Sequence, residues 1–278
     1  MTDARSLLEL AQATAVEAGA LVAQGSRGTL EVAATKSSPT DIVTATDVAS
    51  ENLIRERILG ARPDDGFVGE EGAEIAGTSG VTWIADPIDG TVNFLYRIPQ
   101  FAVSIAAEVD GEVVAGVVHN PSTGETFTAV RGEGAWLGDV RLEGSACSDI
   151  TQALVGTGYS YSAEVRAVQA IEVARLLPTV RDIRRIGSAA LDLCFVACGR
   201  YDAYVERGLK RWDLAAGRLI VTESGGRVEG IGGGPPGELI VTAAPAQLYD
   251  AFHERLVASG FGDWPLPHWP RGAATLSG

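Results

Sequence analysis

Cysteine is scarce in this sequence, which has only Cys147, Cys194 and Cys198 among its 278 residues. Their odd number and their spacing fit neither a disulfide-stabilised secreted domain nor a zinc site, so the sequence predicts a protein of a reducing, cytoplasmic compartment. Long apolar runs are missing too, because no stretch reaches the roughly 18 residues of a membrane-spanning helix. The N-terminal segment carries acidic residues early and lacks a continuous apolar core, which is unlike a signal peptide. We therefore expect no membrane association.

Basic residues are outnumbered: Lys and Arg total 22 against 36 Asp and Glu, and the formal net charge is −14. Such a chain repels a phosphate backbone at long range, so nucleic acid is not an expected partner. An anionic protein can still bind an anionic substrate where cations bridge the two. Clusters of acidic residues are therefore the places to look for chemistry.

Neither an internal repeat nor a low-complexity linker divides the chain, and at about 150 residues per domain its length fits one large domain or two small ones. Apolar periodicity predicts helices over 4–24 and 44–59, then short strands, then alternating helices and strands. The predicted strands are 81–85, 101–108, 112–119, 125–130, 153–157, 181–186, 202–206 and 238–243, and the later helices are 163–177, 188–198, 213–223 and 245–258. This order predicts a mixed α/β layered sandwich whose halves share one cleft.

The stretch WIADPIDGTVNF, residues 83–94, carries the most chemical information. An apolar strand leads directly into Asp86 and Asp89, which are separated by Pro87, a residue that interrupts regular strand pairing. Gly90 allows close backbone approach to a ligand, and a short helix from Thr91 would leave N–H groups free for a phosphate. Turn formation or helix capping also explains single aspartates at such places. Two acids beside an anion-binding helix start suit phosphate held through divalent cations.

Two further acidic positions strengthen that interpretation. Glu70 follows a short apolar run, next to Glu71, for which a solvated surface position is expected. Asp213 precedes an apolar helix, where N-capping is the alternative role. Together with Asp86 and Asp89 these acids would form an all-oxygen site, which suits Mg²⁺ or Mn²⁺ better than zinc.

Several blocks in the chain resemble the signatures of the inositol monophosphatase family of metal-dependent, lithium-sensitive phosphatases. The blocks are 36–41, 44–47, 69–71, 86–94, 187–190, 212–217 and 223–226, in the family's order. The resemblance implies one domain over 1–278, with a metal- and phosphate-binding first half (about 1–150) and an α/β second half (about 151–260). It also implies a five-layered α-β-α-β-α sandwich of the sugar phosphatase type, assembled as a homodimer.

The same resemblance implies roles for individual residues. The metal ligands would be Glu70, Asp86, the Ile88 carbonyl, Asp89 and Asp213, which would bind two to three Mg²⁺ ions, with Mn²⁺ as an alternative. Catalytic roles would fall to Thr91, Asp47 and Glu70, the first two of which would position and deprotonate the attacking water. Substrate contacts would come from Ile88, Asp89, Gly90, Thr91, Gly187, Ser188, Ala189, Glu206 and Asp213.

The implied activity is Mg²⁺-dependent hydrolysis of a small polyol phosphate, with myo-inositol 1-phosphate as the expected substrate. Residues 92–94 and the segment around Glu206 favour the inositol type. Three alternatives use the same chemistry: histidinol phosphate, fructose 1,6-bisphosphate and 3′-phosphoadenosine 5′-phosphate. An alternative of another class is a non-enzymatic, dimeric binding partner in transcription or RNA maturation. The net charge of −14 weighs against direct contact with RNA in that role.

Overall fold

The computed structural model describes residues 3–27, 32–35, 42–72 and 74–262. The block at 36–41 and most of the predicted irregular tail from 260 lie outside these residues. The helices are α1 (Ala4–Gly25), α2 (Ala45–Ala61), α3 (Thr91–Tyr96), α4 (Ala163–Leu176), α5 (Ala189–Ala197), α6 (Arg211–Glu223) and α7 (Ala246–Ala258), with 3₁₀ turns at Ile150–Gln152, Leu177–Thr179 and Ile231–Gly233. The strands are β1 (Val32–Thr35), β2 (Ile42–Thr44), β3 (Gly66–Gly69), β4 (Val81–Asp89), β5 (Ala102–Val109), β6 (Glu112–Asn120), β7 (Glu125–Val130), β8 (Gly134–Leu137), β9 (Val140–Arg141), β10 (Leu154–Thr157), β11 (Asp182–Arg184), β12 (Ala203–Glu206), β13 (Gly226–Glu229) and β14 (Val241–Pro245).

Two sheets alternate with three layers of helices. Helices α1 and α2 cover one face of the larger sheet, whose strand order is β3-β4-β5-β6-β7-β8-β9. Helices α5 and α6 lie between the sheets, and α4 and α7 cover the outer face of the smaller sheet, ordered β11-β10-β12-β14-β13. The expected five-layered α-β-α-β-α sandwich is confirmed.

Side-chain alternation along the strands separates the layers. In β4, Trp83 and Ala85 face the core beneath α1 and α2, whereas Ile84 faces the central core. In β12, Tyr204 faces the central core and Val205 faces the core beneath α4 and α7. Because successive strand residues point to opposite faces, both sheets are buried on both sides.

Helix α1 packs an apolar face against β5 and β6. Leu7, Ala11, Ala15, Ala18 and Val22 recur at three- and four-residue spacing and are at most 1% exposed. By length and composition alone, α1 is also the one helix in the described ranges that could cross a membrane. Its buried face instead makes it a covering helix of the sheet, and fully burying a Leu or Val side chain stabilises the fold by about 1.5–3 kcal/mol.

Small residues hold the middle layer close to its neighbours. A Cβ added at Gly116 of β6 would lie 3.1 Å from Ala216 Cα in α6. A Cβ added at Gly217 of α6 would lie 2.7 Å from Leu193 Cδ1 in α5. A larger side chain at either position would require α6 to move away from β6 or α5, so these small residues allow the close packing of the helix.

Most of the predicted elements are confirmed, but two boundaries that bear on the acidic residues differ from prediction. The sequence predicts that β4 ends at Ala85, whereas the strand runs to Asp89 because its pairing with β5 resumes after a register shift. The sequence also predicts Asp213 at an N-cap. That prediction is wrong, since α6 begins at Arg211 and Lys210 occupies the cap, which makes Asp213 the third helical residue.

Candidate metal centre

The end of β4 presents two buried carboxylates. Asp86 pairs with Ser104 and Asp89 pairs with Ala102, so the shift between them leaves Pro87 outside the regular ladder, as predicted. The Asp86 carboxylate accepts a 3.0 Å hydrogen bond from a backbone N–H two residues later, which holds it in a turn. Asp86 is 1% exposed and Asp89 8% exposed. Both carboxylates are therefore fixed in position and largely removed from water.

Asp89 is held by the N-terminus of α5, from the other half of the chain. The Ser188 hydroxyl donates to Asp89 Oδ2 at 2.5 Å, and the Ala190 N–H donates to the same oxygen at 2.7 Å. The Ala189 N–H lies 3.3 Å from Oδ1. A helix N-terminus stabilises a carboxylate through its free N–H groups and its dipole. Burial outweighs these bonds and raises the pKa of Asp89 to about 6.

Asp213 enters the site from the first turn of α6. Its Oδ2 accepts a 2.7 Å hydrogen bond from the Lys210 N–H, which closes the N-terminus of the helix. One oxygen each of Asp86, Asp89 and Asp213 lies within 4.8 Å of the others. Burial, together with the charges of neighbouring carboxylates, raises the pKa of Asp86 and of Asp213 well above its usual value.

Glu70 is the fourth acid predicted from the sequence, and it lies beside this cluster, half-buried after β3. Its charge is one cause of the raised pKa of Asp86. A buried residue not singled out in the sequence, Glu51 of α2, supports this segment by accepting a 2.7 Å hydrogen bond from the Glu71 N–H. A Cβ at Gly69 would lie 2.3 Å from Glu51 Oε2, so glycine is needed there for the backbone to approach that carboxylate.

Thr91 and Asp47 form the predicted pair next to the acidic cluster. The Thr91 hydroxyl lies 3.1 Å from Asp47 Oδ1 and also 3.1 Å from the Ile88 carbonyl oxygen, so it can donate its one proton to either. Asp47 is fully buried at the start of α2, where its Oδ2 accepts from the backbone N–H of Thr44 at 2.9 Å and from the Thr44 hydroxyl. Burial raises the pKa of Asp47. The pair thus offers a hydroxyl backed by a carboxylate.

The donor set fits hard divalent cations. In the metal-free cluster, two unit charges 4 Å apart repel by about 4 kcal/mol at an effective dielectric of about 20. The neighbouring charges that raise the pKa of Asp86 and of Asp213 are those of carboxylates, whereas Lys210 lowers the pKa of Asp213 through its backbone N–H. Asp86 and Asp89 are buried and Asp213 is half-buried, and all three offer the carboxylate oxygens that Mg²⁺ or Mn²⁺ prefers as ligands.

Glu206 lies at the end of β12, near the cluster. Strand β12 lies between β10 and β14, so Glu206 is not on an edge strand, and its side chain is half-buried. The Tyr204 hydroxyl donates to Glu206 Oε2 at 2.5 Å. Burial raises the pKa of Glu206 to about 7, and the charge of Asp89 contributes in the same direction while Arg185 opposes it.

The turn before α5 completes this side of the site. Gly187 has a φ of 92°, a backbone conformation that glycine adopts without strain. The amide of Asn93 donates to the Ile186 carbonyl at 2.8 Å and so ties the turn to α3. The turn is therefore brought next to Gly90, but the donors of Ser188 and Ala189 are directed at Asp89. Their predicted contact with substrate hydroxyls stays a prediction.

Asp192 is another acid that the sequence reasoning missed. It lies on α5 and is fully buried, and its charge interacts with those of Asp89 and Glu206. Burial raises its pKa well above the usual value. Its signal in the sequence is a single acid within the otherwise apolar stretch AALDLCFVA.

Comparison with known proteins places this geometry in a family. The profile of the inositol monophosphatase family matches residues 3–259. The inositol-1-monophosphatase SuhB of Mycobacterium tuberculosis (strain ATCC 25618 / H37Rv) is 49% identical over 221 residues, which cover 76% of this chain and 76% of that protein. The Nus factor SuhB of Escherichia coli (strain K12) is 42% identical over 230 residues, which cover 82% of this chain and 86% of that protein.

A solved structure agrees with the sequence relatives. The extragenic suppressor protein suhB from Bartonella henselae aligns with a TM-score of 0.86 and 38% identity, covering 90% of this chain and 98% of that chain. The agreement in sequence and fold extends over nearly the whole chain. The chain therefore belongs to the inositol monophosphatase family and is a phosphoric monoester hydrolase.

Proposed function

We propose that the protein is a Mg²⁺-dependent phosphomonoesterase that hydrolyses a small polyol phosphate, with myo-inositol 1-phosphate as its substrate. The observation that carries the proposal is the cluster of Asp86, Asp89 and Asp213, with one oxygen of each within 4.8 Å of the others, beside the Thr91–Asp47 pair. The name of the Mycobacterium tuberculosis relative supports the choice of substrate. Three free cysteines fit a cytoplasmic enzyme, and the family resemblance favours a homodimer.

The proposed metal ligands are Glu70, Asp86, Asp89, Asp213 and the Ile88 carbonyl, which would hold two to three Mg²⁺ ions, or Mn²⁺. When bound, such ions lower the pKa of a water molecule and neutralise charge on phosphate oxygens. The chain's own part is to hold these oxygens in place without bound metal, through the helix N-termini at Asp89 and Asp213. Little reorganisation is then needed when cations arrive.

Thr91 and Asp47 would handle the proton of the attacking water. The Thr91 hydroxyl would accept a proton from the water as it passes its own proton to Asp47 Oδ1, 3.1 Å away. The raised pKa of Asp47 makes it the stronger base. The backbone N–H groups of Gly90 and Thr91, where α3 begins, would receive the phosphate. No covalent phospho-enzyme is required in this scheme.

A panel of substrates tests the proposed function. Phosphate release would be measured with and without Mg²⁺ on inositol 1-phosphate, histidinol phosphate, fructose 1,6-bisphosphate and 3′-phosphoadenosine 5′-phosphate. We expect Mg²⁺-dependent release that is fastest, by kcat/KM, on inositol 1-phosphate. If another substrate of the panel reacts faster, we would assign the same phosphatase chemistry to that substrate instead. Release from none of them would favour the second candidate below.

The second candidate is a binding role, and the name of the Escherichia coli relative, a Nus factor, is the observation that favours it. The retained carboxylate cluster speaks against a purely structural role, because its charge repulsion would persist with no ligand to relieve it. We therefore rank catalysis first and treat binding as a role that could accompany it.

Replacing Glu206 with glutamine should lower kcat/KM for inositol 1-phosphate and leave p-nitrophenyl phosphate nearly unaffected. The carboxylate is proposed to accept hydrogen bonds from the hydroxyls that the leaving group carries besides its ester oxygen, and the p-nitrophenyl group has no such hydroxyl. Losing a hydrogen bond to a charged group should lower kcat/KM by about 10- to 150-fold. Steady-state kinetics on both substrates would be compared with the exposed control Glu164→Gln. Equal losses on the two substrates would indicate damage to the fold or to the metal centre instead.

Lithium is expected to inhibit phosphate release by replacing one of the Mg²⁺ ions held by the acidic cluster. Because both cations would compete for carboxylate oxygens, the inhibition should change with Mg²⁺ concentration. Initial rates across a grid of LiCl and MgCl₂ concentrations, with NaCl as the ionic-strength control, measure this. Inhibition that is independent of Mg²⁺ would place lithium elsewhere.

A further inference from the structure

The carboxylate of Glu206 lies directly against the backbone of Gly158, the residue after β10. A Cβ added at Gly158 would lie 2.0 Å from Cδ and from both carboxylate oxygens of Glu206. No side chain can occupy that space unless the carboxylate moves. Gly158 has no positive φ, so the requirement for glycine there comes from the neighbouring carboxylate and not from the backbone conformation.

The register of the smaller sheet creates this contact. Strands β10 and β12 are parallel, and Thr157 pairs with Val205, so the next residues along the two strands are Gly158 and Glu206. The Thr157 hydroxyl also donates to the Val205 carbonyl at 2.8 Å. The relative position of the two residues is therefore determined by the pairing of the two strands.

Helix α4 holds the same backbone segment from behind. Gln169, 3% exposed, places its side-chain nitrogen 3.4 Å from the Gly158 carbonyl. Its side-chain oxygen accepts a 2.9 Å hydrogen bond from the Ser160 N–H. The backbone at Gly158 consequently cannot retreat freely to admit a side chain.

Tyr204 holds the other side of the carboxylate. It lies two residues before Glu206 on the same face of β12, and its hydroxyl donates to Oε2 at 2.5 Å. The ring is fully buried in the central core, so it has little room to turn away. Gly158 and Tyr204 therefore both contact the carboxylate and restrict its movement.

The charges around Glu206 explain why its carboxylate has to be held in place. The carboxylates of Asp89 and Asp192 face it from β4 and α5, and the Arg185 guanidinium faces it from the turn before α5. Repulsion by Asp89 and attraction by the exposed Arg185 would otherwise draw the carboxylate away from the cluster.

We propose that Gly158 and Tyr204 are positioning residues that hold the Glu206 carboxylate towards the leaving group and thereby determine the preference for hydroxyl-bearing substrates. This inference rests on the proposed function, in which Glu206 accepts hydrogen bonds from a polyol. It adds to that function two residues that act on specificity without touching the substrate. A single methyl group added at Gly158 would then be enough to change specificity.

The first test is Gly158→Ala in the full-length, Mg²⁺-loaded enzyme. We expect kcat/KM for inositol 1-phosphate to fall by about 10- to 150-fold, the loss of one hydrogen bond to a charged group, while p-nitrophenyl phosphate hydrolysis is retained. The matched control is Gly60→Ala, where an added Cβ meets nothing within 4 Å. In a Glu206→Gln background, Gly158→Ala should cause no further loss, because both changes remove the same interaction.

The second test is Tyr204→Phe, compared with Tyr249→Phe, which removes another buried hydroxyl, hydrogen-bonded at 2.7 Å to Thr242. Because the Tyr204 hydroxyl lowers the pKa of Glu206, its removal should move the pH dependence of kcat/KM for the polyol to higher pH. The control should leave the pH profile in place. A purely structural role for Tyr204 would lower the rate without moving the profile.

The outcomes separate this inference from the proposed function. Equal losses on both substrates, additive losses in the Gly158→Ala, Glu206→Gln double variant, or an unmoved pH profile in Tyr204→Phe would overturn it. Failure of wild-type enzyme to hydrolyse any polyol phosphate would overturn the proposed function. In that case carboxyl NMR titration of Glu206 still decides the positioning, which requires the pKa to rise in Tyr204→Phe and to be unchanged in Tyr249→Phe.

Discussion

Replacing Asp86 with asparagine should reduce Mg²⁺-dependent phosphate release by several orders of magnitude. Burial and the charges of Glu70, Asp89 and Asp213 all raise the pKa of Asp86, so its carboxylate interacts with the other three proposed acidic ligands. The family resemblance implies that Asp86 would help to hold two ions, one with Glu70 and the Ile88 carbonyl and the other with Asp89 and Asp213. An amide at this position would weaken both sites. Phosphate release across a Mg²⁺ titration measures the effect, with the exposed Asp139→Asn as control. Near-normal activity would contradict the shared-ligand assignment.

The same variant should be more stable than wild type when metal is removed. Burial raises the pKa of Asp86 above its usual 3.8, so in the metal-free protein its ionisation costs folding free energy as the pH rises above that value. Asparagine carries no charge at any pH. In EDTA we expect the variant to melt above wild type at about pH 7.5, and the difference to shrink as the pH falls towards 4. A variant less stable than wild type in EDTA would show that Asp86 supports the fold.

Replacing Thr91 with valine should lower kcat by about 10²- to 10⁴-fold, the range for losing a positioned proton-transfer group. Valine keeps the shape of threonine but lacks the hydroxyl, which lies 3.1 Å from Asp47 Oδ1. KM should change little, because the phosphate is proposed to be held by backbone N–H groups and cations. Steady-state kinetics would be compared with those of Thr222→Val, a control that removes an exposed threonine hydroxyl on α6. A change confined to KM would make Thr91 a binding residue.

The fold could be predicted from sequence where local pattern and tertiary environment agree. Strand β7 has the predicted bounds, because Glu125–Val130 alternates and ends in turns. Strand β13 was not predicted, since GRVE has too few apolar residues to show a period, and its pairing with β14 supplies the structure. The end of β4 was misplaced because Pro87 reads as a stop, whereas β5 pairs again with Asp89.

The candidate site divides in the same way. Asp86, Asp89 and Thr91 are close in sequence, so a single stretch of chain indicates their proximity. Acids that are distant in sequence from this stretch but surround the site in space could not be identified from the sequence pattern. Glu51 lies on the apolar face of α2 and Asp192 within apolar α5, and each reads locally as an ordinary helical residue. Only the packing of α2 against β4, and of α5 against α6, β12 and β14, gives these two carboxylates their surroundings.

The three acids of the cluster come from two elements of the fold, and a third element contacts one of them. Asp86 and Asp89 end a strand of the larger sheet, Asp213 lies in the first turn of α6, and the N-terminus of α5 donates to Asp89. A cation held there would act as a cross-link between the two halves of the chain. At a free concentration of 100 times its Kd, such a ligand adds about 2.7 kcal/mol to the free energy of unfolding. The magnesium concentration would then determine the stability of the fold as well as the rate of catalysis. Hydrogen exchange at the starts of α5 and α6 should slow when magnesium binds.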